Sequence, residues 1–207
     1  MIWVGLTGGI ASGKSTVSKY LRQEGAFIVD ADKIVHALLL EDRDVYKSIL
    51  DVFGDEILDP EKKIDRKRLG DLVFRDPDLR KRLNGIVHPF VFQKAEAEKK
   101  TIVARYPQSV IVFDAALLIE TEAHRKMDWI LLAYADPLTQ IRRLVKRDHL
   151  CKQEAALRIG AQMPIGEKIP YADEVIDCNQ SRHNVKAAIH QVYGRLVEKA
   201  KRGEPSA

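Results

Sequence analysis

The sequence predicts an α/β fold in which a parallel sheet carries helices on both faces. Short apolar runs typical of buried strands alternate along the chain with longer segments of helical spacing. A glycine-rich turn separates the first apolar run from the first helical segment. With 207 residues, 45% of them hydrophobic, the chain is long enough to bury a real core, and this composition excludes a disordered or low-complexity protein.

The elements can be assigned in chain order from apolar spacing. The predicted strands are residues 2–6, 27–29, 109–113, 129–134 and 175–176. The predicted helices around these strands are residues 16–21, 138–145 and 185–196. Between the second and third strands the chain is mostly helical, and Pro89 should break or start a helix, with Phe90–Lys100 as the next one. We expect the tail, residues 201–207, to be disordered.

The helical stretch from about Asp32 to Lys100 is too long for a simple crossover between parallel strands, so we predict that part of it forms a separate subdomain. Lys and Arg number 34 against 30 acidic residues, an excess that suits an anionic ligand but is not gathered into a nucleic-acid-binding tail. Cys151 and Cys178 stand alone, which predicts neither a disulfide framework nor a zinc site. Because no apolar run approaches the ~20 residues of a membrane span, we expect a cytoplasmic protein.

Residues Gly8–Ser15 match the phosphate-binding pattern G-x-x-x-x-G-K-[ST]. A chance match in a chain of this length has a probability of about one in a hundred, given average glycine usage. The motif also lies between a predicted strand and a predicted helix, where successive backbone N–H groups can surround phosphate at the helix N-terminus. Lys14 would then reach the β- and γ-phosphates and the Ser15 hydroxyl would bind Mg²⁺. The alternative is a glycine-rich turn with no ligand.

Carboxylates follow two of the predicted strands. Asp114 ends a buried strand, as a carboxylate acting through water on a metal would, although a helix N-cap is an equally common reason for such a residue. Asp30 and Asp32 follow the second strand, which would deliver them to the same sheet edge as the phosphate loop. One of them could orient or deprotonate an attacking hydroxyl; alternatively, Asp32 caps a helix that begins near Lys33.

Four cations cluster on one predicted helix: Arg142, Arg143, Lys146 and Arg147. Arg143 and Arg147 share a helix face, which is either a solvated surface or a lid that lends charge to a transferring phosphoryl group. The chain has neither the N-K-x-D motif of guanine recognition nor the L-S-G-G-Q motif of transporter ATPases. A regulatory GTPase and a transporter ATPase are therefore disfavoured, and a small-molecule kinase is favoured.

The sequence resembles the dephospho-CoA kinase family over nearly its whole length. The motifs that carry the resemblance are Gly5–Thr16, Ile28–Asp32, Val73–Pro77, Val87–Pro89, Asp114–Glu120, Gln140–Leu144, Lys146–Asp148, Arg158–Met163, Glu167–Lys168 and Ala172–Asp173. The resemblance implies a P-loop NTPase fold, a three-layer sandwich with a helical substrate-binding insert and a lid. It also implies transfer of the ATP γ-phosphoryl group to the 3′-hydroxyl of dephospho-CoA, with ATP and Mg²⁺ as cofactors. Another small P-loop kinase, acting on a nucleoside monophosphate or hydroxylated metabolite, and a non-catalytic nucleotide switch remain the alternatives.

The resemblance also implies roles for single residues and segments. A nucleotide-binding core would comprise residues 1–31 and 105–207, with a lid at approximately 147–168, and residues 32–104 would bind the acceptor. The implied ATP-binding residues are Gly8, Gly9, Ala11, Ser12, Gly13, Lys14, Ser15 and Thr16. Lys14, Asp32, Arg143 and Arg147 would be catalytic, with Asp32 facing the acceptor hydroxyl. Asp32, His88 and Asp114 would lie on the substrate side.

Five positions depart from the family pattern: Ala11, His36, Ala116, Ile119 and Ser181, the last of which falls near an expected glycine. Ala11 replaces a glycine and should be tolerated if its φ is negative. His36 replaces an arginine and so removes a permanent positive charge. We expect no membrane or nucleic-acid partner and a monomer or weak homo-oligomer.

Overall fold

The computed structural model describes residues 1–202, the side chains of residues 74 and 75 excepted. The chain divides into two compact units. The sheet unit contains Met1–Asp30 and the chain from Lys99 onward, and the helical unit contains Ala31–Glu98. The predicted disorder of 201–207 is wrong for its first two residues, which continue the last helix, and residues 203–207 lie outside the described residues.

The sheet unit is built on five parallel strands. They are β1 (Ile2–Gly8), β2 (Phe27–Asp30), β3 (Val110–Asp114), β4 (Trp129–Tyr134) and β5 (Glu174–Asp177), in the spatial order β2-β3-β1-β4-β5. Every residue of β1 and β3 is buried, as expected of strands covered on both faces. The predicted parallel α/β fold is confirmed, and strand ends differ from the prediction by only a few residues.

The sheet unit also contains helices that follow its strands in the chain. Those of the sheet unit are α1 (Lys14–Glu24), α6 (Pro137–Asp148), α7 (Lys152–Gly160) and α8 (Arg182–Arg202). One core cluster joins α1 and α8 to the sheet: Val17 and Leu21 of α1 and Ile189 of α8 are buried together with Val4 and Leu6 of β1. This packing fixes the start of α1 against the end of β1. No helix among residues 1–202 is long and apolar enough to cross a membrane.

The helical unit contains α2 (Ala31–Glu41), α3 (Arg43–Phe53) and α4 (Arg66–Arg75), and α5 (Pro77–Arg105) runs from it into the sheet unit. The predicted helix break at Pro89 is wrong, because α5 continues through this residue. A proline inside a helix costs about 3 kcal/mol. Val87, Val91 and Ala95, spaced four residues apart, form a buried stripe on both sides of the proline, and burial of a valine contributes about 1.5–3 kcal/mol. Packing therefore outweighs the local penalty.

Candidate active site

The phosphate loop, residues 8–15, leaves the sheet from its central strand. β1 ends at Gly8 with β3 paired on one side and β4 on the other, and α1 begins at Lys14. Gly13 is the N-cap of α1, and its carbonyl accepts hydrogen bonds from Thr16 N at 2.9 Å and Val17 N at 3.1 Å. Having no side chain, Gly13 leaves the first N–H groups of the helix to a ligand, and this end of the helix dipole favours an anion.

Neighbouring atoms approach the backbone closely at two glycines of the loop. A Cβ atom added to Gly8 would lie 2.5 Å from Ser12 Oγ and 2.8 Å from the carbonyl oxygen of Ala133. A Cβ atom added to Gly9 would lie 2.5 Å from Gln140 Nε2. At Gly8 the contact with a backbone carbonyl excludes a Cβ atom, whereas at Gly9 the end of the Gln140 side chain would have to move to admit one.

Two residues of the loop have left-handed backbone conformation. Gly13 has a φ of 109°, which glycine adopts without strain, and an added Cβ atom would lie 2.9 Å from Cys178 Cβ. Ala11 has a φ of 57°. The condition set for tolerating alanine at position 11, a negative φ, is therefore not met, and this departure from the family pattern places a strained residue in the loop.

Lys14 and Asp114 form a largely buried ion pair. Lys14 Nζ lies 2.6 Å from Asp114 Oδ1, with side chains 17% and 7% exposed. Asp114 is the last residue of β3, aligned with Leu6 of β1 and with Asp30 of β2. No helix begins after Asp114, where the described chain forms turns instead, so the helix N-cap interpretation is wrong. The pair places a cation and a carboxylate together at the carboxyl edge of the sheet.

Asp32 and His88 belong to the helical unit, whereas the other predicted site residues belong to the sheet unit. Asp32 lies in the first turn of α2, which begins at Ala31. The alternative in which Asp32 caps a helix beginning near Lys33 is therefore wrong. His88 lies in α5, where burial lowers the pKa of its imidazole.

The two predicted lid arginines occupy different surroundings. Arg143 Nη2 donates to the carbonyl of Cys178 at 2.5 Å, and Nη1 lies 3.3 Å from the carbonyl of Ser12 and 3.4 Å from that of Ala11. Arg147, one helical turn later, donates to both carboxylate oxygens of the neighbouring aspartate, at 2.7 and 3.0 Å. This hydrogen bonding raises the pKa of the Arg147 guanidinium. The structure thus brings Arg143, but not the Arg147 guanidinium, onto the phosphate-loop backbone.

A cavity of about 310 Å³ lies beside the phosphate loop. Ser15 and Thr16 of α1 line it together with Arg143, Arg147 and Arg182. Three guanidinium-bearing side chains beside the start of a helix give the cavity a positive potential, which suits a phosphorylated ligand.

A buried lysine that sequence reasoning did not assign holds the turn after β3. The Lys168 side chain is 0% exposed, and its Nζ lies 2.8 Å from the carboxylate of Glu120 and 2.9 Å from the carbonyl of Ala116. Thr7 Oγ1 donates to the same carbonyl at 3.1 Å. Burial lowers the pKa of Lys168. The Glu167–Lys168 motif was the available signal, but only the structure shows that this cation is buried and paired.

His36, a second departure from the family pattern, contacts an arginine within the helical unit. Arg66 Nη1 lies 2.9 Å from His36 Nδ1. A guanidinium group is therefore present beside His36, although the chain carries no arginine at that position. This contact supplies a permanent positive charge next to position 36. The structure gives no account of Ile119 beyond its burial.

Comparison with known proteins agrees with this arrangement. The family model for dephospho-CoA kinase matches residues 2–184. A dephospho-CoA kinase of Syntrophus aciditrophicus is 39% identical over 207 residues, which is all of this chain and 88% of that protein. A Thermus thermophilus protein of known structure gives a TM-score of 0.78 at 30% identity, covering 94% of this chain and 97% of that one. Dephospho-CoA kinase from Campylobacter jejuni gives a TM-score of 0.57 at 25% identity, covering 94% and 96%. The chain belongs to the dephospho-CoA kinase family.

Proposed function

We propose that this chain transfers the γ-phosphoryl group of ATP to the 3′-hydroxyl of dephospho-CoA, releasing CoA and ADP. The observation that carries the proposal is the phosphate loop, with Lys14 paired to Asp114, in a member of the dephospho-CoA kinase family. The ribose oxygen attacks the γ-phosphorus, the bond from that phosphorus to the bridging oxygen of ADP breaks, and the hydroxyl proton leaves to a base. The reaction requires little covalent work from the protein, so catalysis depends on positioning and on charge.

The sheet unit supplies the nucleotide side of this reaction. The β- and γ-phosphates would be surrounded by the first N–H groups of α1 and by the ammonium group of Lys14. To bind phosphate in this way, Lys14 would give up its contact with Asp114. Arg143 and Arg147 would add positive charge during transfer, the latter from a lid at approximately 147–168. Charge stabilisation of this kind is worth several kcal/mol when it is aligned with the transition state.

Mg²⁺ fits the donors at this edge of the sheet. Among residues 1–202 no group of three or more His, Cys, Asp or Glu side chains could enclose a metal ion. Mg²⁺ in phosphoryl-transfer enzymes needs no such enclosure, because it binds through one or two protein oxygens, water and the phosphates. The Ser15 hydroxyl would hold the ion directly and Asp114 through water. When bound, Mg²⁺ neutralises the charge that develops on the phosphate oxygens.

The acceptor side is assigned to residues 32–104. Asp32 would align the ribose hydroxyl for in-line attack and receive its proton, with His88 on the substrate side. Asp30 is the last residue of β2 and is aligned with Asp114 of β3. Asp32 follows Asp30 by two residues, so the proposed acceptor segment begins where β2 ends. We propose that the protein acts as a monomer or weak homo-oligomer.

The first test is product analysis by mass after incubation with Mg-ATP and dephospho-CoA. We expect CoA and ADP in equal amounts. A clear preference for a nucleoside monophosphate or another hydroxylated acceptor would show that dephospho-CoA is not the substrate. ATP-dependent partner binding with no phosphorylated product would instead indicate a nucleotide switch.

The second test is Asp32→Asn. Because the amide cannot accept the hydroxyl proton, we expect kcat to fall by about 10²-fold or more while ATP affinity stays nearly unchanged. Asp42→Asn is a matched control in the helical unit, since Asp42 caps α3 and asparagine caps equally well. Unchanged turnover in Asp32→Asn would remove this residue from the mechanism.

A further inference from the structure

Two glutamine side chains hold the backbone of Ile10, in the middle of the phosphate loop. Gln140 Nε2 donates to the Ile10 carbonyl at 2.7 Å, and the Ile10 N–H donates to Gln162 Oε1 at 2.8 Å. Gln140 lies on α6 and is 1% exposed. Gln162 lies two residues beyond the end of α7. Both polar backbone groups of one loop residue are therefore satisfied by side chains distant in sequence.

The close packing of α6 against the loop is visible in two further observations. Gln140 Nε2 stands 2.5 Å from where a Cβ atom on Gly9 would lie, so a side chain at position 9 would displace the Gln140 amide. Arg143, the next residue on this face of α6, points its guanidinium at the carbonyls of Ala11 and Ser12. Three successive loop carbonyls, those of residues 10, 11 and 12, thus face donors on α6.

The orientation of these carbonyls determines where the loop N–H groups point. In a planar trans peptide the C=O of one residue and the N–H of the next are directed oppositely. Since the carbonyls of Ile10 and Ser12 face α6, the N–H groups of Ala11 and Gly13 are directed away from it. N–H groups arranged in this way form the concave anion site of a phosphate loop. The intervening N–H, that of Ser12, is already bonded to the Gly9 carbonyl at 3.1 Å.

We infer that Gln140 and Gln162 are positioning residues that hold the phosphate loop in its phosphate-binding form, Gln140 as donor and Gln162 as acceptor. The inference rests on the proposal that this loop binds ATP. Neither side chain touches the reacting atoms in this scheme; each acts through the peptide groups of Ile10. Gln140 precedes α7 in the chain and Gln162 follows it, so the contacts to Ile10 come from both sides of this helix in sequence.

Substitution by glutamate tests the donor and acceptor roles separately. Gln162→Glu keeps an oxygen acceptor for the Ile10 N–H, whereas Gln140→Glu replaces a donor with a carboxylate facing the Ile10 carbonyl. Both variants add one negative charge near the loop, but Gln140→Glu also buries that charge against the Ile10 carbonyl, because Gln140 is 1% exposed. A neutral variant at position 140 is therefore needed to separate loss of the donor from added charge. Gln153→Glu, on the exposed surface of α7, is the control for added charge alone.

We expect calorimetric titration with ATP to show that Gln140→Glu weakens binding about tenfold more than Gln162→Glu, which corresponds to about 1.4 kcal/mol, because the buried Ile10 carbonyl loses its donor. KM for ATP should rise in parallel, whereas KM for dephospho-CoA should not change. Gln140→Met removes the donor without adding charge, and we expect it to bind ATP about tenfold more weakly than the natural chain. This variant serves if Gln140→Glu fails to fold.

Equal ATP affinity in Gln140→Glu and Gln162→Glu would overturn the inference, as would a loss that only follows a lowered Tm. ATP binding is measured without an acceptor, so the test does not depend on the identity of the acceptor. If the natural chain binds ATP but does not phosphorylate dephospho-CoA, the proposed function fails and the comparison of variants still decides the role of the glutamines. If the natural chain does not bind ATP, both proposals fail.

Discussion

Ala11→Gly should stabilise the protein, because Ala11 is an L-residue held at a φ of 57°. Left-handed backbone conformation costs a non-glycine residue about 1–2 kcal/mol. Glycine removes that cost but gains conformational freedom in the unfolded chain, which opposes folding by about 0.5–1 kcal/mol. The expected net gain is therefore about 0.5–1 kcal/mol, or roughly 2 °C in Tm for a chain of this size.

Tryptophan fluorescence during urea unfolding measures this effect in the relevant unit, because both tryptophans, Trp3 and Trp129, lie in the sheet unit. Ala161→Gly is the matched control. Ala161 has a φ of −76°, so glycine at position 161 relieves no strain and should destabilise the protein by about 0.5–1 kcal/mol. If Ala11→Gly and Ala161→Gly shift the unfolding midpoint in the same direction, the assignment of strain to Ala11 is refuted.

Three further predictions concern charge and burial. Lys14→Met should destabilise the sheet unit by about 2–4 kcal/mol because it leaves the Asp114 carboxylate buried without its partner, and adding Asp114→Asn should recover more than half of this loss in urea unfolding. Burial lowers the pKa of His88, so the unfolded chain takes up this proton first as the pH falls from about 7 to 5. The free energy of unfolding of the natural chain should therefore decrease more than that of His88→Gln over this range. Iodoacetamide at pH 8 should label the exposed Cys151 and spare Cys178, whose thiol is buried and has its pKa raised to about 11; labelling of both cysteines in the folded protein would contradict this.

The sheet could be predicted from sequence because its strands are unbroken apolar runs. Continuous apolar runs, typical of strands covered on both faces, occur in Val110–Asp114 and Trp129–Tyr134. The glycine pair at positions 8 and 9 marks the turn between the first strand and α1. The phosphate loop was equally visible, since its function requires glycine and lysine at fixed spacing. These signals are local, and they depend little on the rest of the chain.

The features that sequence reasoning missed depend on contacts between distant segments. Continuation of α5 through Pro89 depends on burial that apolar spacing does not quantify. α7 has one buried residue, Ala155, and starts with an unusual capping box, in which the thiol of Cys151 accepts a hydrogen bond from Glu154 N. Lys168 is a charged residue that the fold buries completely. Lysine side chains are usually exposed, and a buried one needs an oppositely charged or hydrogen-bonding partner. That partner lies elsewhere in the chain, so the local sequence does not reveal the burial.

Several expectations stay predictions. The lid and acceptor roles of 147–168 and 32–104, the site roles of Asp32, His88 and the arginines, and a cytoplasmic location without nucleic-acid partners are among them. Each depends on a bound ligand, a movement of the chain or its location in the cell.

The position of β1 has a consequence for how binding fails as the protein is stressed. β1 is hydrogen-bonded to β3 on one side and β4 on the other, whereas β2, which leads directly to Asp32, forms an edge of the sheet. Segments with few buried residues open locally at a lower free energy than core strands, and only Val29 of β2 is buried whereas all of β1 is. With the roles proposed for the phosphate loop and Asp32, we therefore expect mild heating to weaken acceptor binding before it weakens ATP binding.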